Sequence, residues 1–252
     1  MSQHAVRLCL CLLCFILLSG FASSPVRKDR MYYEQRGEIV WEVPMNHKML
    51  ALTFDDGPNP KTTNMILDLL KKYEAKATFF VVGKRVERFP EVVEREVKEG
   101  HEVANHTYNH VYFSSNVSMD TMEKEIMDAQ KQIKQITGHA STWLRPPGGY
   151  YNERLIQVAQ HHGFKVVLWS WHQDTKDWKK PGVSYIVNKV LKNTKNGDIV
   201  LMHDHVSNST QTVEALKTIL PELKKRGYQF VTVSELISEK KKEVMSQPNT
   251  KR

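Results

Sequence analysis

A few short stretches of this chain set cation-binding and proton-transferring residues close together. Asp55-Asp56-Gly57-Pro58 places two carboxylates side by side. Neighbouring side chains on a strand point to opposite faces, so both acids can aim at one place only if the strand stops between them. Gly57-Pro58 is a turn signal in the right position. One acid is then available to bind a metal and the other to take a proton. His106-Thr107-Tyr108-Asn109-His110 sets two imidazoles four residues apart. On a helical turn that spacing points both rings to one side, toward a shared cation. Two imidazoles and one carboxylate leave coordination positions open for water and substrate. Such a set suits zinc and admits cobalt or another divalent transition metal.

Three further stretches add polar groups. Arg145-Pro146-Pro147-Gly148-Gly149 is a rigid turn followed by two flexible residues. An arginine can grip a carboxylate through parallel hydrogen bonds, and glycine lets a ligand approach the backbone closely. A buried strand, Ile199-Val200-Leu201-Met202, ends in His203. A histidine there can act as a general acid if a carboxylate keeps it protonated. Asp177 is a candidate partner, with Asp174 three residues before it. Each stretch alone has an ordinary reading as a loop, a surface histidine pair or a structural histidine; their combination carries the argument.

Something must bring these residues together. From Trp41 onward, short apolar runs alternate with amphipathic stretches. Strands are expected at residues 49–54, 78–82, 102–105, 142–145, 165–170, 198–202 and 229–231. Helices are expected at residues 61–74, 87–99 with Pro90 in the first turn, 118–137, 152–162, and from Val183 and Ser209. Repeated strand–helix alternation with continuously apolar strands argues an α/β protein whose parallel sheet is covered on both faces. A closed or nearly closed barrel and an open doubly wound sheet both satisfy this pattern. The polar residues singled out follow the strands directly, and in β/α barrels the carboxyl ends of the strands share one face.

The chain has 252 residues, 40% hydrophobic and 25% charged, an ordinary composition for one large domain. An apolar run from Leu8 to Leu18 follows Arg7, with Gly20 and Ala22 placed for a cut after Ala22. That reads as a secretory signal peptide over residues 1–22, the alternative being an uncleaved anchor. Cys9, Cys11 and Cys14 all lie inside it, so the exported chain would have neither disulfide nor thiolate ligand. Residues 23–37 read as a linker, 38–238 as the domain and 239–252 as a basic, solvated tail. The net charge of +8 suits solubility, or attraction to an anionic surface such as a cell wall. A basic-aromatic stripe and a recognised nucleic-acid motif are both lacking, so nucleic acid is not expected as a partner.

Thr53-Phe54-Asp55-Asp56-Gly57, His106-Thr107-Tyr108-Asn109-His110, Arg145-Pro146-Pro147-Gly148-Gly149, Asp177-Trp178 and Leu201-Met202-His203 occur in that order. Together they resemble the five motifs of the polysaccharide deacetylase family, carbohydrate esterase family 4, over residues 38–237. Gly37-Glu38-Ile39-Val40-Trp41 and the stretch 169–178 are similar to exported deacetylases of Gram-positive spore formers. The resemblance implies a distorted barrel of about seven β/α units, a variant of the eight-unit form. It implies Asp56, His106 and His110 as metal ligands, Asp55 as general base and His203 as general acid. By the same resemblance Arg145 holds Asp55, and Asp177 orients His203. Trp178 and Leu201 line the acetyl pocket, and the Gly148 N–H helps bind the oxyanion.

The family commonly has an aromatic residue where Gly148 stands, and Tyr150 or Tyr151 is expected to replace it. The implied activity is metal-dependent N-deacetylation of an amino-sugar glycan, peptidoglycan or chitin-like, by a secreted or wall-associated monomer with no membrane span in the mature chain. The alternatives are an O-acetyl esterase on a xylan-like glycan and an inactive glycan-binding relative.

Overall fold

The computed structural model describes residues 28–246. The expected signal segment and its cysteines lie outside the described residues. Within the stretch read as a linker, Arg30–Gln35 form a short helix. The account below concerns the compact unit from Glu34 onward.

Eight parallel strands form the sheet: β1 (Ile39–Val40), β2 (Met49–Asp55), β3 (Ala77–Val81), β4 (Glu102–Asn105), β5 (Trp143–Leu144), β6 (Lys165–Val167), β7 (Ile199–His203) and β8 (Gln229–Phe230). Their order is β1-β6-β5-β4-β3-β2-β7, with β8 on the first residues of β2. The edges approach each other through the chain that follows β6. Ser170 N donates to Ile199 O at 3.0 Å, Ile199 N donates to Ser170 Oγ at 3.1 Å, and Asp174 bridges Leu201. The sheet is therefore curled into the distorted barrel that the resemblance implied, and the open-sheet alternative falls away.

Every residue of β2 is buried, because helices cover one face and the barrel interior the other. Leu50, Leu52 and Phe54 pack outward against α1 (Thr62–Lys72) and α7 (Gln211–Lys225). Met49 and Ala51 pack inward with Phe80, Ala104, Val167 and Ile199. Period-two alternation puts Thr53 and Asp55 on the same inner face. Asp55 stands level with Phe80 and His203, and Val81 with Asn105, so the strands end at one rim.

The remaining helices are α2 (Gly83–Arg88), α3 (Pro90–Lys98), α4 (Met119–Thr137), α5 (Glu153–His161), α6 (Val183–Asn193) and α8 (Val233–Ser246). The single helix expected at 87–99 is two. Phe89 leaves the helical region at φ −135°, and Pro90, with no N–H to donate, starts the second. The long helix α4 begins as expected, with the Ser118 hydroxyl capping Thr121 N and Gly138 left-handed at its end. Strand β1 was not expected, since two residues carry too little periodicity to read. The expected solvated tail starts as helix: α8 runs to Ser246, and buried Glu243 accepts hydrogen bonds from Asn46. Among the described residues no helix is long and apolar enough to cross a membrane.

Candidate active site

Asp55 is the last residue of β2, and Asp56 takes a left-handed φ of 75° that turns the chain off the strand. The two carboxylates therefore share one cavity. Gly57 is required by close packing, since a Cβ there would fall 2.0 Å from Asp204 Oδ2. Asp204 is buried behind the turn, where desolvation pushes its carboxyl up to about 7 against the Thr63 hydroxyl bound to it.

The segment 106–110 is not the helical turn expected. Thr107 and His110 both have positive φ, 66° and 61°, in an irregular loop. Groups from neighbouring elements fix that loop. Asn105 Oδ1 accepts from Thr107 N at 2.8 Å. Buried Glu125 of α4 accepts from Tyr108 N at 3.1 Å, Asn109 N at 2.7 Å and Asn109 Nδ2 at 2.8 Å. The imidazoles still converge: Asp56 Oδ1 lies 3.4 Å from His106 Nε2 and 3.0 Å from His110 Nε2. Burial works against the charge on Asp56, but the close approach of the His106 and His110 rings, with attraction from His106 and His203, holds its carboxyl well below the usual range.

These three residues fit a cation. Asp56 Oδ1 is buried and makes no hydrogen bond of good geometry, although two ring nitrogens face it. His106 Nδ1 lies 2.7 Å from the Arg145 carbonyl, which fixes the proton on Nδ1 and leaves the Nε2 lone pair aimed at Asp56. A second group, Glu42, His172 and Asp198, also brings ligand atoms together. Its one buried acid is already engaged: Asp198 pairs with His172 at 2.9 Å and accepts from Gln173 and Lys195 N.

Arg145 is wholly buried. Nη1 donates to Asp55 Oδ1 at 2.7 Å and to Thr53 Oγ1 at 2.8 Å, Nε to Val167 O and Nη2 to Leu168 O, while the guanidinium stacks 3.9 Å over Phe80. Oδ2 of Asp55 is left facing the cavity, 3.9 Å from His106 Nε2. Opposite, His203 Nδ1 lies 2.6 Å from Asp177 Oδ1. Asp177 also accepts from His203 N, Trp178 N and Thr212 Oγ1. Burial alone would lower the His203 pKa; the Asp177 carboxylate overcomes it, with help from Asp56 and Asp55, and raises it to about 9.

The cavity holding these groups measures about 540 Å³. Gly148, Trp178 and Leu201 line it beside the Asp and His residues. Tyr112 and Tyr150 close over Gly148, where a Cβ would come within 2.7 Å and 3.0 Å of their rings. Of the two tyrosines expected to replace the missing aromatic, Tyr150 lines the cavity, whereas Tyr151 packs edge-on against buried Trp41. A larger groove of about 780 Å³, beside Leu70 and Arg95, contains none of the predicted site residues.

Sequence reading missed Thr53, Glu125, Thr212 and Trp169, the last of which lines the cavity. Thr53 precedes Asp55 by two on the inner face, a signal that was available. Glu125 and Thr212 lie inside helices and gave none. Asp174 lines the cavity and accepts from Lys176 N, whereas Asp177 is the histidine's partner.

Residues 42–167 match the family model described as polysaccharide deacetylase. The chain is 52% identical over 82% of its length to a peptidoglycan-N-acetylglucosamine deacetylase of Bacillus cereus, covering 97% of that protein. It is 42% identical over 79% of its length to the peptidoglycan-N-acetylmuramic acid deacetylase PdaC of Bacillus subtilis, but spans only 41% of that longer protein. The crystal structure of the Bc1960 peptidoglycan N-acetylglucosamine deacetylase is similar with a TM-score of 0.77 and 36% identity, covering 82% of this chain and 95% of that one.

Proposed function

This chain belongs to the polysaccharide deacetylase family, and from that premise we propose that it hydrolyses N-acetyl groups of amino-sugar residues in peptidoglycan, outside the cell or at its wall. The observation that carries the reading is one cavity in which Asp56, His106 and His110 meet beside Asp55 and His203. Residues 1–22 would direct export, and the working unit would be a monomer.

Asp56, His106 and His110 would hold one divalent ion. Two imidazoles and a carboxylate favour zinc, with cobalt or another transition metal suited to the same donors. When bound, the ion polarises the acetamide carbonyl and makes water more acidic.

The protein's own groups divide the remaining work. Asp55 Oδ1 is occupied by Arg145, so Oδ2 accepts the proton as water attacks the carbonyl carbon. The Gly148 N–H donates to the oxygen that gains charge; one such donor is typically worth about 2.7–4 kcal/mol. His203 Nδ1 is tied to Asp177, so Nε2–H gives its proton to the amine nitrogen as the carbon–nitrogen bond breaks. Acetate and a free amine leave. Trp178 and Leu201 bound the space for the acetyl methyl.

The test is acetate release from peptidoglycan, chitin oligomers and acetylated xylan, with and without chelator. Release from the N-acetyl glycans, abolished by chelator and restored by zinc, is expected. Release from acetylated xylan alone would make the enzyme an O-acetyl esterase, and no release at all would leave a glycan-binding relative.

A further inference from the structure

A second cavity adjoins the reaction cavity. It measures about 410 Å³ and shares Asp56 and His110 with the first. Its other wall is built by α2 and the residue after it: Lys84, Arg85, Arg88 and Phe89. Lys84 and Arg88 are four apart and occupy one face of the helix. Arg88 lies over the Phe89 ring at 5.1 Å.

None of the three cations has a carboxylate within ion-pair distance among the described residues. Arg85 is half-buried, and burial pulls its guanidinium down against the more distant Asp204 and Asp56. Among the described residues the one acid lining the groove is Asp56, which is turned toward His106 and His110. Three like charges gathered beside a reaction centre repel one another until an anion joins them.

Resting on the deacetylase reading above, we propose that this groove binds a carboxylate carried by the sugar next to the one being deacetylated. Arginine matches a planar carboxylate with two parallel hydrogen bonds, and lysine adds a point charge. The lactyl ether of a muramic residue that carries no stem peptide supplies such a group, whereas a chitin oligomer has none. The site then reads its polymer through the neighbouring residue's charge as well as through the acetamide.

Three tetrasaccharides test this: a peptidoglycan-type one with free lactyl carboxyls, the same after reduction of those carboxyls to alcohols, and chitotetraose. Acetate release by the metal-loaded enzyme gives kcat/KM for each. The wild type should prefer the carboxylate form to its reduced form by about tenfold or more. Arg85→Met with Arg88→Met should bring that ratio close to one, and Arg85→Lys should restore part of it. The preference should also shrink as salt rises from about 50 mM to about 500 mM.

Equal wild-type rates on the two forms, or variants that lose both rates in proportion, would overturn the proposal. Inorganic phosphate competing as well as muramic acid against the carboxylate substrate would overturn the assignment to carboxylate. If none of the three substrates releases acetate, the deacetylase reading fails. The groove is then judged by muramic acid binding in calorimetry, which Arg85→Met must abolish for the proposal to stand.

Discussion

Arg145 donates from Nη1 to Asp55 Oδ1 at 2.7 Å, and through its backbone carbonyl the same residue fixes His106 Nδ1 at 2.7 Å. One buried residue thus orients both the acid that faces the cavity and one of the imidazoles that would hold the ion. The guanidinium has no exposed surface, so neither member of the Arg145–Asp55 pair can turn to solvent if the other is removed.

Arg145→Met should therefore unfold more easily. Removing one partner of a buried pair leaves an uncompensated charge and typically costs about 3–5 kcal/mol. Urea denaturation of wild type and variant checks this. A midpoint that does not move would mean that Asp55 finds another donor.

Asp55→Asn keeps the shape of the side chain and its contact with Arg145 but removes the proton acceptor. Metal content should stay as in the wild type while acetate release falls by about 10²–10⁴-fold. Elemental analysis of the purified variant, beside its turnover, separates the two effects. Retained turnover would take Asp55 out of the base role.

Glu125→Ala touches no atom that would bind the ion. It does remove the acceptor for three hydrogen bonds that shape the loop carrying His110. Loss of such an outer support usually weakens metal affinity by about 10–100-fold. His106→Ala removes a ligand outright and should weaken it further. Competition with a zinc chelator measures both, and affinities equal to wild type would detach these residues from metal binding.

His203 titrates at about 9 rather than the ordinary 6.5 because Asp177 favours its protonated form. The stability this supplies is full below about 6.5 and is lost as pH rises through about 9. Unfolding free energy of the metal-free protein should fall across that window. In Asp177→Asn the fall should begin at lower pH, and the alkaline limb of activity should move the same way, because His203 must carry a proton to give one. A cation beside Asp56 opposes the proton, so NMR titration of the His203 ring should find a lower midpoint in the loaded enzyme than in the metal-free one. Identical titration of His203 in wild type and Asp177→Asn would break the link.

Much of the candidate site was present in the order of residues. Buried strands must be apolar until they reach the rim, so the first polar residues after 49–54, 102–105 and 199–202 marked where chemistry could sit. Caps at Ser118 and Asn152 bounded their helices because an exposed N–H needs a local acceptor wherever the rest of the chain lies.

Other features depended on neighbours distant in sequence. The histidine pair at 106–110 suggested a helix, yet Asn105 and Glu125 hold two of its residues left-handed. Whether the sheet closed depended on Ser170 and Asp174 reaching β7, contacts that periodicity does not encode. The cationic groove looked like surface charge along α2 until folding set it against Asp56 and His110. Local sequence governs backbone preference and the burial of apolar faces. Which polar groups meet is decided by long-range packing, because a hydrogen bond between remote residues forms only once the core has fixed both ends.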